Sequence, residues 1–333
     1  MKRRQTLKFA VSAVTVGLAP FARSQTREMR LGTVFASNSN LHKGALKFSE
    51  ALFQESKGRY KINVYADSQI GDIAGLITGM QVGTIDMALL GMGNATTLKG
   101  AGPLSVAYVP YLFKSKKGVA DVVNGPLFAP ILENAAKESG VRVFVLDGAR
   151  SPRAIQTTRG PILRPEDLKG MRMRVPPVEL FRATFEKLGV KAVPTGVSEI
   201  YLALSKGQVE GQDNGFDMSL TFKWHEVAKF WSETEHSFEP CGWYIGEKLW
   251  QSLPPADQEI FKRAARMGGA VITELGEVID RNGVETLKSL GVAYVKPDLG
   301  PWREALKDVH VPYEGKLWPA GMVEKIRALP ENK

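Results

Sequence analysis

Two segments of this chain, far apart in sequence, close in the same way. Met80-Gln81-Val82-Gly83-Thr84-Ile85-Asp86 and Leu204-Ser205-Lys206-Gly207-Gln208-Val209-Glu210 each bring a helix to a glycine stop and then place an acid on the next strand. Around the first, Met29 to Phe35 reads as a strand. A helix follows from a Ser39 or Asn40 cap, with Leu41, Ala45, Phe48 and Leu52 at helical spacing. Lys61 to Tyr65 alternates as a strand, Asp72 opens a helix that ends near Gly83, and Thr84 to Leu90 is a buried strand. Strands alternating with helices predict an α/β fold with largely parallel sheets. Two such units in one chain suggest two lobes with a cleft between them. Ligands of open α/β sheets sit beyond the carboxyl ends of the strands, which is where both segments point.

The second unit carries the chemistry. Met171 to Val175 is a strand whose Met and Val side chains face one way and whose Arg172 and Arg174 face the other. A helix follows with Val178, Phe181, Phe185 and Leu188 on one stripe, and Lys191 to Pro194 is extended. Ser198 is expected to cap a helix through Leu204, with Glu199 in its first turn, and Val209 to Gln212 is the matching strand. Beyond Lys248 the pattern is helical. Pro254-Pro255-Ala256-Asp257 opens a segment long enough to pass across both lobes, its apolar face running from Ile260 and Phe261 to Leu275 and Val278. Gly291 to Lys296 returns as a strand, and short helices follow Pro301.

The N-terminus reads as an address rather than as part of the fold. Arg3-Arg4-Gln5-Thr6-Leu7-Lys8 is a twin-arginine pattern, Phe9 to Leu18 is apolar but too short to span a bilayer, and Ala22-Arg23-Ser24 has the small-x-small spacing of a signal-peptidase site. Residues 1–24 are therefore expected to be a signal peptide, with a mature chain from Gln25. Lys2, Arg3, Arg4, Lys8 and Arg23 leave with it, so the net charge falls from +9 to +4. The remaining Lys and Arg are interleaved with acids. This argues against the basic stripe of a nucleic-acid binder and for a surface that tolerates anionic ligands. Cys241 is the only cysteine, so no intramolecular disulfide forms despite an oxidising destination. No second long apolar segment occurs, and a soluble mature protein is expected.

The catalytic inventory is thin. His42, His225, His236 and His310 share no ligand spacing with an acid or with Cys241, and no paired-histidine zinc motif, serine nucleophile elbow or Walker loop occurs. Gly91-Met92-Gly93 suggests a dinucleotide turn, but Thr96 stands at the third glycine position and Gly100, Gly102 and Pro103 interrupt the following helix. No cofactor or metal is expected. Arg174 is the candidate that remains. It is the last charged residue before Val175-Pro176, where the strand ends, and from there a guanidinium can reach the cleft and hold a carboxylate through two parallel hydrogen bonds.

A family resemblance strengthens that reading. Pro165-Glu166-Asp167-Leu168-Lys169-Gly170-Met171-Arg172-Met173-Arg174-Val175-Pro176, Ser198-Glu199-Ile200-Tyr201-Leu202-Ala203-Leu204 and Val209-Glu210-Gly211-Gln212-Asp213-Asn214 resemble the signature of the DctP-type solute-binding proteins of TRAP transporters. Gly58-Arg59, Ser68-Gln69-Ile70-Gly71, Gly83-Thr84-Ile85-Asp86-Met87, Trp224-His225-Glu226-Val227 and Leu253-Pro254 also fit, so the likeness covers the whole mature chain.

The resemblance implies a two-lobed, type II-like periplasmic binding protein with a long helix crossing both lobes. One lobe would comprise 25–150 with about 240–279, the other 151–239 with about 280–333. It implies a monomeric periplasmic receptor that captures an organic acid anion and delivers it to the small and large membrane subunits of a sodium-coupled permease. The family's arginine falls on Arg174 and its carboxylate-contacting asparagine on Asn214. A second ligand arginine falls on Arg153, with Arg150 as competitor. Val197 stands where sialate-binding members carry an aromatic, and an acidic contact is replaced around Gly91. Both departures point to a smaller or more apolar acid. Asn38 and Asn94 are candidate polar contacts, and Trp224, Trp243 and Tyr244 are candidates to wall the cleft or to pack the core. The alternative is an exported α/β enzyme acting on a small carboxylic acid, for which only Glu199, Glu210 and Asp213 offer a base.

Overall fold

The computed structural model describes residues 26–332, so the segment expected to be a signal peptide, with its twin-arginine pattern, lies outside the described residues. The first run of elements is β1 (Arg27–Gly32), α1 (Asn40–Glu55), β2 (Tyr60–Tyr65), α2 (Ile73–Val82) and β3 (Met87–Gly91). Helices α3 (Lys116–Val123) and α4 (Ala129–Ser139) lead to β4 (Val141–Ala149). The chain then crosses into β5 (Arg153–Thr157), β6 (Arg172–Val175), α5 (Glu179–Lys187), β7 (Lys191–Pro194), α6 (Ile200–Ser205) and β8 (Gly211–Asn214). After α7 (Phe216–Thr221), β9 (Phe230–Ser237) carries it back to β10 (Pro240–Gly246), α8 (Glu247–Gln251) and the long α9 (Pro255–Ser289). A short β11 (Ala293–Val295), α10 (Leu299–Leu306) and α11 (Met322–Ala328) follow.

The strands form two sheets, ordered β2-β1-β3-β10-β4 and β11-β9-β5-β8-β6-β7. In each, the first strand of a βαβαβ unit lies between the other two, with β1 paired to β2 and β3 and β6 paired to β7 and β8, all parallel. The matching endings have matching roles. Gly83 and Gly207 both take left-handed backbone, at φ of 82° and 66°. Asp86 then accepts the Arg30 backbone N–H at 2.7 Å, and Glu210 accepts that of Arg172 at 2.9 Å. Each acid ties the start of its strand to the central strand of its unit.

The sheets are mixed rather than largely parallel. Strands of the βαβαβ units end at the cleft, whereas β5 and β10 begin there because each receives the chain from the other lobe. A strand that starts where its neighbours stop must run against them. β5 is therefore antiparallel to β8 and β9, and β10 to β3 and β4.

Several boundaries also move. The third strand of each unit begins at Met87 and Gly211, two to three residues later than its apolar pattern suggests, because Thr84, Ile85 and Val209 donate their N–H groups back to Gly79 and Ala203 to close the preceding helix. Ser198 does not cap a helix. A tight 3₁₀ turn at Val197–Glu199 precedes α6, which starts at Ile200 with no side-chain cap. Ser39 and Asp72, by contrast, accept hydrogen bonds from His42 and Gly75 as caps of α1 and α2.

The 35 residues of α9 reach about 52 Å at 1.5 Å per residue. Its first half packs on α1 and β4, its second on α7 and β11. Close approach to α1 needs glycine: a Cβ on Gly268 would sit 2.7 Å from the Gly44 carbonyl oxygen and 2.8 Å from the Trp243 ring. At the other end, α10 packs on α5, while Asn332 donates to the Leu112 carbonyl at 3.0 Å beside α3, so the tail touches both lobes. Among the described residues no helix is long and apolar enough to cross a membrane. Cys241 is fully buried in β10, where burial pushes its thiol well above the ordinary range.

Candidate functional site

The two sheets face each other across a cavity of about 520 Å³. Its floor is where the chain crosses between lobes, at Arg150 before β5 and at Glu239 between β9 and β10. Those two residues are ion-paired, Arg150 Nη1 to Glu239 Oε2 at 3.0 Å, so one charge pair joins both crossings at the base of the cleft.

Arg174 reaches the cavity from β6. Arg172 shares its face of the strand but lies at the outer end, exposed and tied to Glu210 and the Gly207 carbonyl. Arg174 is only 4% exposed, and Nε donates to the Thr195 carbonyl at 2.8 Å. No carboxylate among the described residues lies within ion-pair distance of it, and its two terminal nitrogens have no protein acceptor. Burial pulls the guanidinium down to about 9; Asp213 pulls the other way, and the cations of Arg153 and Arg150 add to the depression. It remains charged at neutral pH and lacks a counter-ion.

The other two arginines are already paired. Arg153, the first residue of β5, donates from Nε to Asp213 Oδ2 at 2.7 Å, from Nη2 to the Asp213 carbonyl at 2.7 Å and from Nη1 to Glu239 Oε2 at 2.9 Å. Its guanidinium lies 4.5 Å from the centre of the Phe181 ring. Arg150 binds Glu239, donates to Asn214 Oδ1 at 3.2 Å and has Nε 3.5 Å from Asp217. Burial alone would lower both guanidinium groups, but Asp217 and Glu239 hold Arg150 above its ordinary value, and Asp213 and Glu239 do the same for Arg153. The acids respond in kind. Against the effect of burial, Arg150 and Arg153 keep Glu239 below the usual carboxylate range, and Arg153 with His236 takes Asp213 to about 2.

Asn214 is the last residue of β8, which runs two residues past its expected end at Gln212, and a relay of buried amides fixes its orientation. Gln156 donates to the Ala228 carbonyl, Gln212 donates to Gln156 Oε1, and Asn214 donates to Gln212 Oε1 at 2.9 Å. With Oδ1 taken by Arg150, one Asn214 N–H is left for the cavity.

The cleft thus gathers Arg150, Arg153, Arg174, Asn214, Asn94 and Val197. Arg150 and Arg153, the two candidates for a second ligand arginine, both line it. Asn38 is exposed and off the cavity. Trp224, Trp243 and Tyr244 do not wall it. Trp243 and Tyr244 point to opposite faces of a strand in the interior of its sheet, and both faces are covered. Trp243 packs 4.6 Å from Phe48 and Tyr244 donates to the Gly91 carbonyl at 3.0 Å. Trp224 is fully buried and stacked on Phe222. Aromatic walls come instead from Phe35 and Phe181.

Sequence reasoning also missed Glu239. Besides the two arginines it accepts the Gly93 N–H at 3.1 Å and the Tyr108 hydroxyl at 3.0 Å. Its Oε1 would lie 2.7 Å from a Cβ on Gly91, so Gly91 leaves room for this carboxylate. The missing acid at Gly91 is therefore no loss of acid from the cleft. Among the described residues no group of three or more His, Cys, Asp and Glu side chains could hold a metal ion.

A model of the family described as bacterial extracellular solute-binding protein, family 7 (DctP) matches residues 31–316. A solute-binding protein of Roseobacter denitrificans is 30% identical over 329 residues, 97% of this chain and 95% of that protein. The crystal structure of a TRAP periplasmic solute-binding protein from the same organism, with bound L-galactonate, matches with a TM-score of 0.82 at 29% identity, over 90% of this chain and 98% of that one. One from Xanthobacter autotrophicus, with bound β-D-galacturonate, matches at 25% identity with a TM-score of 0.82, over 90% of this chain and 99% of that chain. The chain belongs to the DctP family of solute-binding proteins, and its architecture is the two-lobed fold of these neighbours.

Proposed function

We propose that this protein is a periplasmic receptor that captures an organic acid anion in the cleft and presents it to the membrane subunits of a TRAP-type transporter. The observation that carries the proposal is Arg174, a buried guanidinium aimed into an interlobe cavity with no counter-ion of its own. A ligand carboxylate supplies the missing charge. It meets the two terminal nitrogens of Arg174 side by side and takes the free N–H of Asn214. Arg174 and Asn214 stand on the second lobe, while Asn94, Phe35 and Ile73 face them from the first. Closing the lobes about the crossings then removes water and strengthens the ion pair in a lower effective dielectric. The L-galactonate and β-D-galacturonate held by the related structures are carboxylates, which supports the same class here.

Binding without turnover is the better reading of the acids present. Of the acids in and beside the cavity, Asp213 and Glu239 are held ionised and hydrogen-bonded by arginines, Asp72 caps α2 by accepting the Gly75 N–H, and Glu199 is exposed. Asp213 and Glu239 are therefore not placed as free general bases. Export through the N-terminal signal would deliver a monomer to the periplasm.

The test is a thermal-shift panel on the mature protein with hydroxy, oxo, aromatic and sugar acids. A ligand at about a hundred times its Kd should add about 2.7 kcal/mol of stability. No shift with any acid, or equal binding by Arg174→Ala, would reject the site. A changed product in the same mixtures would favour an enzyme.

A further inference from the structure

The arginines of the cleft are matched by acids in all places but one. Arg150 and Arg153 share Glu239, and each has a further acid, Asp217 and Asp213 respectively. Only Arg174, among the cleft arginines, lacks a carboxylate partner. The rest of the cavity offers nothing to a second anion. Away from Arg174 its lining is largely apolar, with Phe35, Ile73, Ile77, Pro176, Val178 and Val197, and the ionisable groups it adds are Asp72 and Glu199, both acids. Among the described residues no lysine or histidine faces it.

From this arrangement we infer that the cleft is selective for monocarboxylates, one carboxylate on an otherwise uncharged body, and that Glu239 sets the limit by occupying Arg150 and Arg153. The inference rests on the receptor reading above and narrows it. A monoanion neutralises Arg174 and leaves an apolar or hydroxylated body against the Phe35 and Val197 side of the cavity. A dianion of the same shape must bury its second charge with no free cation, facing acids. In a closed, water-poor cavity an unpaired charge is strongly disfavoured, and like charges oppose it further. Glu239 is the determinant because it is the one carboxylate that touches both arginines. Without it each would keep a single acid, and each would gain a terminal nitrogen free to bind a ligand.

The experiment compares acids that differ by one charge at nearly constant shape: succinate with succinamate, glutarate with glutaramate, and galactarate with galactonate. For any other acid found by a thermal-shift panel, its own dianionic counterpart is added. Isothermal titration of the mature wild-type protein at pH 8 keeps both carboxylates of each diacid ionised. The expected result is at least tenfold tighter binding of the monoanion in every pair that binds. A diacid bound as tightly as its partner, or more tightly, overturns the inference and leaves the receptor reading intact. A panel in which no acid of either charge binds overturns both. Glu239→Gln should narrow the gap by at least tenfold in favour of the diacid, and an unchanged ratio refutes the role given to Glu239. Should that variant not fold, Val197→Lys supplies the missing second cation on a partly exposed wall and should reverse the preference. No gain for the diacid there also counts against the inference.

Discussion

A buried cation without a partner should cost the empty protein stability, and replacing it should return some. The Arg174 guanidinium is held at about 9, well below the ordinary arginine range. For a base with a depressed folded value the penalty is fully present below that value and is relieved only as pH rises through it. At neutral pH the whole difference applies, about 5 kcal/mol as an upper bound. Against it stand the Nε hydrogen bond to Thr195, worth about 1 kcal/mol, and the packing lost around a shorter side chain, about 1–2 kcal/mol. Arg174→Met should therefore stabilise the ligand-free protein by about 2 kcal/mol, a rise of about 3 °C in Tm for a chain of this size. The same change should abolish the ligand-induced shift, because a desolvated carboxylate without its partner loses several kcal/mol. Calorimetry of the mature protein with and without the panel's best acid reads both effects. Arg174→Lys is the control: it keeps the charge, so it should gain no stability, yet it loses the two-pronged geometry and should bind at least tenfold more weakly. An empty Arg174→Met protein that melts below wild type while still binding the acid would refute the argument on both counts.

Three further outcomes follow from particular contacts. Asn214→Asp puts a carboxylate where the ligand's own must sit, and titration calorimetry should show binding about a hundredfold weaker, with the neighbouring Arg150 pair kept; unchanged affinity would remove Asn214 from the site. Asp147 is pushed by burial to about 6 although it accepts from Trp243 Nε1. An acid with a raised folded value costs stability above that value and is relieved as pH falls toward 3.8. Asp147→Asn should therefore stabilise by up to about 3 kcal/mol at pH 7.5 and by only about 0.5 kcal/mol at pH 4, and equal gains by urea melts at both pH values would exclude that cause. Gly268→Ala drives a Cβ against the Gly44 carbonyl and the Trp243 ring. It should lose about 1–3 kcal/mol in the same melts, whereas a loss under about 0.5 would mean that the α1–α9 contact relaxes freely.

Local patterns made most of the fold legible. The helical spacing of Leu41, Ala45 and Phe48, the caps Ser39 and Asp72 and the stops Gly83 and Gly207 are all interactions within a few residues. They act the same way in the sequence and in the fold. The strand directions were not legible, because nothing in Arg153-Ala154-Ile155-Gln156-Thr157 says that it receives the chain from another sheet. The choice between cleft wall and core for the aromatic residues was not legible for a related reason. Trp243 and Tyr244 look like cleft walls as residues, and only the place of β10 between β3 and β4 shows both of their faces to be covered.

The site divides along the same line. Arg174 could be found from its strand, since its reach depends on where β6 stops, and Val175-Pro176 marks that point. Glu239 could not. It stands in Phe238-Glu239-Pro240 with no motif around it, and an acid on a connecting segment is usually solvated. Its role exists only because that segment meets Arg150 on the other crossing and Arg153 at the start of β5, 89 and 86 residues away in sequence. Arg174 gives the cleft its charge. Glu239 keeps Arg150 and Arg153 from adding two more, and so makes a three-arginine cleft behave as a one-cation site.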